Sequence, residues 1–319
     1  MTNEERERNE GRLTSSGRGG RRPFAPRAGQ GSAGRVLEIV LTADRIFLFR
    51  KMFVALALLI VVAGLTFAQY SGRNATAPSV STPTGTVSGG PAKAVTFNGE
   101  NVPLGKGLIR SWVRLDGDGK PSAVGVTFTE EALKSLPQGA AGKEYVLSLP
   151  PQAAATAINH IVVDWNSQGH EPARVYDVAH FDFHFYTITP QEREGITAQG
   201  EGLAKLRKLP PAGYMPEGYV SPPGTEVPRM GAHWIDPTSA EFQGRAFTRT
   251  FLYGSYDGRL AFIEPMISKD FLETKPDVTE NIKLPAKYAR RAYYPTRYTV
   301  RYDPVTREYT VALEGMTLR

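Results

Sequence analysis

Alternation of apolar and polar positions dominates the chain after residue 95. Ile109, Ser111, Val113 and Leu115 alternate with Arg110, Trp112 and Arg114. A period of two gives a strand with two different faces. Asp116-Gly-Asp-Gly-Lys-Pro121 then predicts a turn, and residues 123–128 return as a second strand. Thr129 ahead of Glu130 and Glu131 reads as the capped, acidic start of a short helix. A second hairpin is predicted from residues 248–253 and 259–267 around Asp257-Gly258, and a third from Tyr298, Val300, Tyr302 and Tyr309, Val311, Leu313 on either side of Pro304. Residues 95–97 open a further strand, and residues 189–208 include a helix. The expected fold is mainly β, a β-rich α+β domain with an antiparallel sheet or barrel-like body and a few short helices.

Residues 209–229 break this rhythm with six prolines. So many missing N–H donors exclude a central strand. The segment is expected to be a long surface loop, serving either as a cover for a site or as a stiff packed connection.

The N-terminal part has a different pattern. Residues 1–45 are rich in Arg, Gly, Ser and Glu and are expected to be a disordered basic tail. Arg50-Lys51 then precedes an uncharged apolar run, residues 52–68. Within 46–70 this predicts a transmembrane helix or signal anchor, with the basic flank in the cytoplasm and the rest outside. Thr66-Phe67-Ala68 before Gln69 also has the small-residue form of a cleavage site, so export after cleavage near Ala68 stays open. Residues 71–94, rich in Ser, Thr, Pro and Gly, read as a flexible linker, and 95–319 as an extracytoplasmic domain.

Charge changes one conclusion. The net charge of +6 suggests nucleic-acid binding until it is mapped. Residues 1–51 hold 11 Lys and Arg against 6 Asp and Glu; the remainder holds 27 against 26. The folded part is near neutral, so no nucleic-acid partner is expected. The membrane is the expected partner, through residues 46–70. Assembly with further copies of the chain through an exposed strand edge is an open alternative. The chain has no cysteine, which excludes disulfides, thiolate metal sites and a cysteine nucleophile.

Histidine carries the chemistry. The chain has 5 His, and His170, His180 and His184 fall close together, with His160 upstream and His233 downstream. Phe181, Phe183 and Phe185 alternate with His180, Asp182 and His184. That predicts a strand with an aromatic face in a core and a line of donors on the other. Neighbouring donors two apart, about 6.6 Å, could share one ion, whereas His180 and His184, roughly 13 Å apart on a flat strand, meet at one ion only through a bulge or strong twist. Asp182 is either a ligand or a carboxylate that orients an imidazole. His233 and Glu264 are the other candidates to close a site, Glu264 because a carboxylate between apolar neighbours needs a partner. The candidate metal ligands are therefore His170, His180, Asp182, His184, His233 and Glu264, for a divalent ion with zinc favoured by the donor types. Asp116-Gly-Asp118-Gly119 faintly resembles a calcium loop but lacks the distal glutamate and reads as a turn.

Three stretches carry a family likeness: Gly169–Tyr186, Gly231-Ala-His-Trp-Ile-Asp-Pro237, and residues 253–266 with Ile263-Glu-Pro-Met266. Here the chain resembles a poorly characterised family of exported bacterial domains, typified by a sigma-E-regulated secreted protein of Thermus, over most of residues 95–275. The resemblance implies a mainly β extracytoplasmic domain with a metal site on the matching histidines and glutamate. It implies no substrate.

Three functions compete. The first is a membrane-targeted extracytoplasmic domain that binds a metal in a non-catalytic role. The second is a metal-dependent hydrolase or hydratase, with histidine ligands, a metal-activated water, and Glu264 as ligand or general base; those two roles exclude each other. The third is a tethered interaction or adhesion domain whose histidines are structural.

Overall fold

The computed structural model describes residues 93–139 and 142–319, which belong to one compact unit. The tail of residues 1–45, the apolar segment of 46–70 and nearly all of the 71–94 linker lie outside the described residues. Among the described residues, no helix is long and apolar enough to cross a membrane.

The strands run β1 (Val95–Asn98), β2 (Val102–Leu104), β3 (Gly107–Leu115), β4 (Pro121–Thr129), β5 (Lys143–Ser148), β6 (His160–Asn166), β7 (His180–Tyr186), β8 (Glu226–Val227), β9 (Gly231–Trp234), β10 (Arg249–Tyr256), β11 (Arg259–Ser268), β12 (Asp277–Asn281), β13 (Tyr293–Tyr294), β14 (Arg297–Asp303), β15 (Glu308–Glu314) and β16 (Thr317–Leu318). Among the described residues, four short α-helices join them: α1 (Glu130–Lys134), α2 (Pro190–Glu194), α3 (Gly200–Arg207) and α4 (Lys269–Glu273). The mainly β expectation holds, in the form of antiparallel sheets that curve into a half-barrel. One sheet has the order β1-β3-β4-β15-β14-β12, with β2 added on β3; the other has the order β5-β6-β7-β11-β10-β9-β8.

The predicted hairpins form where their turn chemistry placed them. Asp116 Oδ1 accepts from the backbone N–H groups of Asp118 and Lys120, both at 2.9 Å, which makes the Asp-Gly-Asp-Gly segment a self-bonded turn. At the β10–β11 turn Asp257 and Gly258 both take positive φ, the conformation that Asp-Gly adopts at low cost. Thr129 caps α1 by accepting from Ala132 N–H. The helix expected within 189–208 is two helices, α2 with a capping box between Thr189 and Glu192, and then α3.

The inner faces of the two large sheets share one core. Ile109, Val113, Val126 and Phe128 from one sheet meet Val163, Trp165, Phe181, Phe183 and Phe185 from the other. Phe128 is the hinge of this contact, with its ring 5.6 Å from Phe181 and 6.3 Å from Phe183.

The outer face of the second sheet is covered too. Helix α3 and its surroundings pack Ile188, Ile196 and Leu206 on Val162, Tyr186 and Phe262. Tyr176 and Phe247 pack on Leu252 and Met266. His180, Asp182, His184, Asp164 and Glu264 are buried on this same outer face.

The proline-rich segment is a packed connection on the surface. Tyr219 is buried and its hydroxyl donates to Phe251 C=O at 2.8 Å. The only strand within it is the two-residue edge strand β8. All six prolines lie outside that strand, in connections that need no ladder N–H donors.

Candidate metal centres

Each donor reaches the outer face of the second sheet through strand alternation. His160, Val162, Asp164 and Asn166 on β6 share a side with His180, Asp182, His184 and Tyr186 on β7, since His160 pairs with Tyr186 and Asp164 with Asp182. On β11, Phe262 pairs with Tyr186 and Met266 with Asp182, which sets Glu264 between them, level with His184. The β7–β11 pairing lapses at Glu264 and Pro265 and resumes in the same register at Met266. Pro265 has no N–H to donate, so a proline in this central strand falls where the ladder is interrupted beside the site. His233 arrives from β9, opposite Gly254 of β10.

Gly254 is required by geometry. A Cβ there would lie 1.9 Å from the Phe262 ring. That ring fills the space and stands edge-on to both His184 and His233, with centroids 4.9 and 5.0 Å away.

The six candidate ligands do not form one site. They fall into two groups, His170 with His180 and Asp182, and His184 with His233 and Glu264, and the ligand atoms within each group lie within 4.8 Å of one another. Either group could hold a metal ion. His180 and His184 belong to different groups, because β7 runs through this region without the bulge that would bring them together.

In the second group His184 Nε2 lies 3.4 Å from Glu264 Oε1, and His233 Nε2 lies 3.7 Å from Glu264 Oε2. His184 and Glu264 are buried; the His233 side chain is 16% exposed. The far nitrogens face oxygens: His184 Nδ1 is 3.0 Å from Asp164 Oδ2, without hydrogen-bond alignment, and His233 Nδ1 is 3.0 Å from Thr225 C=O. With Nδ1 turned to an oxygen, each ring presents Nε2 toward Glu264, the orientation that oxygen partners behind metal-bound imidazoles commonly set.

The first group repeats the device. His180 Nδ1 faces Val178 C=O at 2.7 Å and His170 Nδ1 faces Glu171 C=O at 2.7 Å. Their Nε2 atoms stand 3.1 Å from Asp182 Oδ1 and 3.2 Å from Asp182 Oδ2.

Proximity here is not the same as hydrogen bonding. His180 Nε2, Asp182 Oδ1, both ring nitrogens of His184, Asp164 Oδ2 and Glu264 Oε2 are buried with no aligned hydrogen-bond partner. Buried polar atoms are normally satisfied, so such a concentration calls for a reason. In the metal-free chain, protons must hold the layer together. Burial pushes Glu264 up to about 8, with the nearby His184 pulling it back. Burial also works against charge on His184, but Glu264 and Asp164 outweigh it and raise that imidazole to about 9. His170 is raised to about 9, because its hydrogen bond to Asp182 outweighs burial. Burial likewise opposes ionisation of Asp182, yet His180 and His170 hold it far below the usual carboxylate range. His233 is lowered to about 4 by burial and by the charge on His184.

His160 joins neither group; it stacks on Tyr186 with ring centroids 4.8 Å apart. Asp164 and Asn166 were missed as functional residues in the sequence. The signal was present: His160, Asp164 and Asn166 alternate with Ile161, Val163 and Trp165. The Thr225 carbonyl, from the proline-rich segment, has no side-chain signature at all.

A family model described as "TTHB210-like: Hypothetical protein TTHB210" matches residues 116–165. The chain is similar to this poorly characterised family over that stretch, which is narrower than the likeness expected over most of 95–275. The match contains His160 and Asp164 but none of His170, His180, Asp182, His184, His233 or Glu264, so it assigns them no role. No curated protein and no solved structure matches the chain.

Proposed function

We propose that the chain is a membrane-targeted domain displayed outside the cytoplasm, which binds a divalent metal, zinc first among the candidates, at His184, His233 and Glu264, in a non-catalytic role. The observation that carries the reading is the spacing of buried, unaligned donors. Bonds of about 2.1 Å in a tetrahedral site set ligand atoms about 3.4 Å apart. The Nε2–Oε distances of 3.4 and 3.7 Å are close to that edge and too long for hydrogen bonds of normal strength. The placement outside the cytoplasm is supported by the basic flank ahead of the apolar run at 52–68.

A hydrolase or hydratase is the second reading, because three protein ligands leave a fourth position for water. The ion would supply a more acidic water there, and Glu264, held between two imidazoles, would act as ligand and not as base. A cleft of about 320 Å³ lies between α3 and the proline-rich segment, lined by Leu206, Arg207, Pro222, Pro223, Glu226 and Ala232, and none of the candidate ligands lines it.

The test is metal content by mass spectrometry of the untagged chain, with His184→Ala alongside and folding checked by circular dichroism. Near-stoichiometric metal in the wild type, reduced in the folded variant, is the expected result. No bound metal after incubation with zinc, iron or calcium would leave a proton-linked structural network instead.

A further inference from the structure

The donors at His170, His180 and Asp182 are not needed to complete the centre at His184, His233 and Glu264. We propose that they form a second, separate mononuclear metal site, open to exchange with solvent, beside a closed one. The proposal rests on the metal reading of the same polar layer and extends it to different ligands.

Separation follows from the strand. Asp182 and His184 are two positions apart on β7, which places them roughly 6.6 Å apart. Two-metal centres that share a bridging oxygen need about 3.5–4 Å. Neither carboxylate bridges the groups. Both oxygens of Asp182 face its own histidines, and both oxygens of Glu264 face His184 and His233.

That the first group points to a ligand of its own is shown by its buried atoms. His180 is fully buried and Asp182 nearly so. His180 Nε2 and Asp182 Oδ1 are 3.1 Å apart, yet neither has an aligned partner. The two atoms are within ion-pair distance but not aligned for a hydrogen bond, and a cation between them accounts for that misalignment. Asn166 adds a fourth group from β6, its carboxamide nitrogen 2.8 Å from Asp182 Oδ2. A half-turn of that amide puts an oxygen donor in the same place. Two imidazoles, a carboxylate and a carboxamide suit zinc, iron(II), manganese(II) or nickel(II).

Exchange follows from where His170 sits. Its side chain is 41% exposed, against 16% for His233, the most exposed ligand of the other group. It comes from the loop of residues 167–179, whereas His180 and Asp182 are fixed on β7. The loop is folded back on itself, with His170 N–H donating to Tyr176 C=O at 3.0 Å. Gly169 permits that fold: its φ is positive, and a Cβ would lie 2.1 Å from Tyr176 C=O. One ligand on a surface loop and two on a buried strand give an ion that leaves by local opening. The His184 centre has all three side-chain ligands on strands.

The experiment uses the full-length untagged chain, stripped with chelator, dialysed against cobalt(II) and assayed for bound cobalt. The wild type is expected to hold two ions per chain, His170→Ala one, and His233→Ala one. After a pulse of excess chelator, the ion lost in His170→Ala should leave the wild type at least tenfold faster than the other. Because His170 lies on an exposed loop, its variant is expected to fold; His170→Gln provides a second substitution there. A wild type holding one ion that either substitution abolishes would mean one shared site. A cobalt count unchanged by both His170 substitutions would reduce His170 and Asp182 to an ion pair. Either result overturns this proposal; the second leaves the His184 centre standing, and the first replaces both centres with one that includes His170. No bound cobalt in the wild type would overturn both.

Discussion

Both faces of β7 are buried along all seven of its residues, but different physics holds each in place. Phe181, Phe183 and Phe185 point inward and fill volume between two sheets. Dispersion and loss of water contact act on them without direction, and any well-packed apolar side chain would serve. His180, Asp182 and His184 point the other way into a layer where each group relies on another group's charge. Buried charges are costly unless paired, so removing one partner strands the rest. One face should therefore respond to volume, the other to protons and metal.

The largest effect is expected from Phe183→Ala on the volume face. Truncating a buried aromatic costs about 3–5 kcal/mol through lost transfer energy and the cavity left behind. Phe183 is completely buried and lies against Phe128 and Phe181, so little can collapse into the gap. In urea denaturation the variant should lose this stability equally with and without chelator. A loss that shrinks when metal is stripped from both proteins would show that the faces act as one unit.

Gly254→Ala probes the polar face through packing alone. The new methyl has nowhere to go, because the Phe262 ring would have to move away from both His184 and His233. Overpacking of this kind costs about 1–3 kcal/mol. Thermal unfolding should show that loss. Metal content should fall by the ion assigned to His184 and His233, with the His170 ion retained. Loss of stability with both ions retained would mean that Phe262 does not position the imidazoles.

The same contrast explains which parts of the molecule were legible in the sequence. Alternation is a local property, so the β3–β4, β10–β11 and β14–β15 hairpins and the two faces of the His-Phe-Asp-Phe-His-Phe segment could all be read. Neighbour relations between distant strands could not. Nothing in the sequence sets β11 beside β7 and β6 on its other side, and those pairings bring Glu264 to His184 and Asp164 behind it. The division of six candidate ligands into two groups follows from the regularity of β7, and sequence left that open. Asp164 could have been found, but its strand, His-Ile-Val-Val-Asp-Trp-Asn, reads first as a buried apolar run. The helices and loops that seal the outer face come from segments whose patterns indicated only a helix and a proline-rich connection.

The smallest predicted effect belongs to His160, which lies on the polar face but outside both donor groups. Burial, with the positive Arg193 nearby, holds this imidazole at about 4, below its ordinary 6.5. The unfolded chain therefore binds more protons than the folded one between those values. The stabilisation is complete above pH 6.5 and is lost as pH falls toward 4. With allowance for solvent screening it amounts to no more than about 2 kcal/mol. His160→Phe keeps the stack on Tyr186 and removes the titration. Denaturation at pH 7.5 and pH 4.5, with chelator present throughout so that metal contributes nothing, should show the variant losing less stability than the wild type over this interval. The volume face offers no such group, so Phe183→Ala should retain the wild-type pH dependence. An equal loss in wild type and His160→Phe would mean that His160 charges freely in the folded chain, and would confine the proton sensitivity of the polar face to the two donor groups.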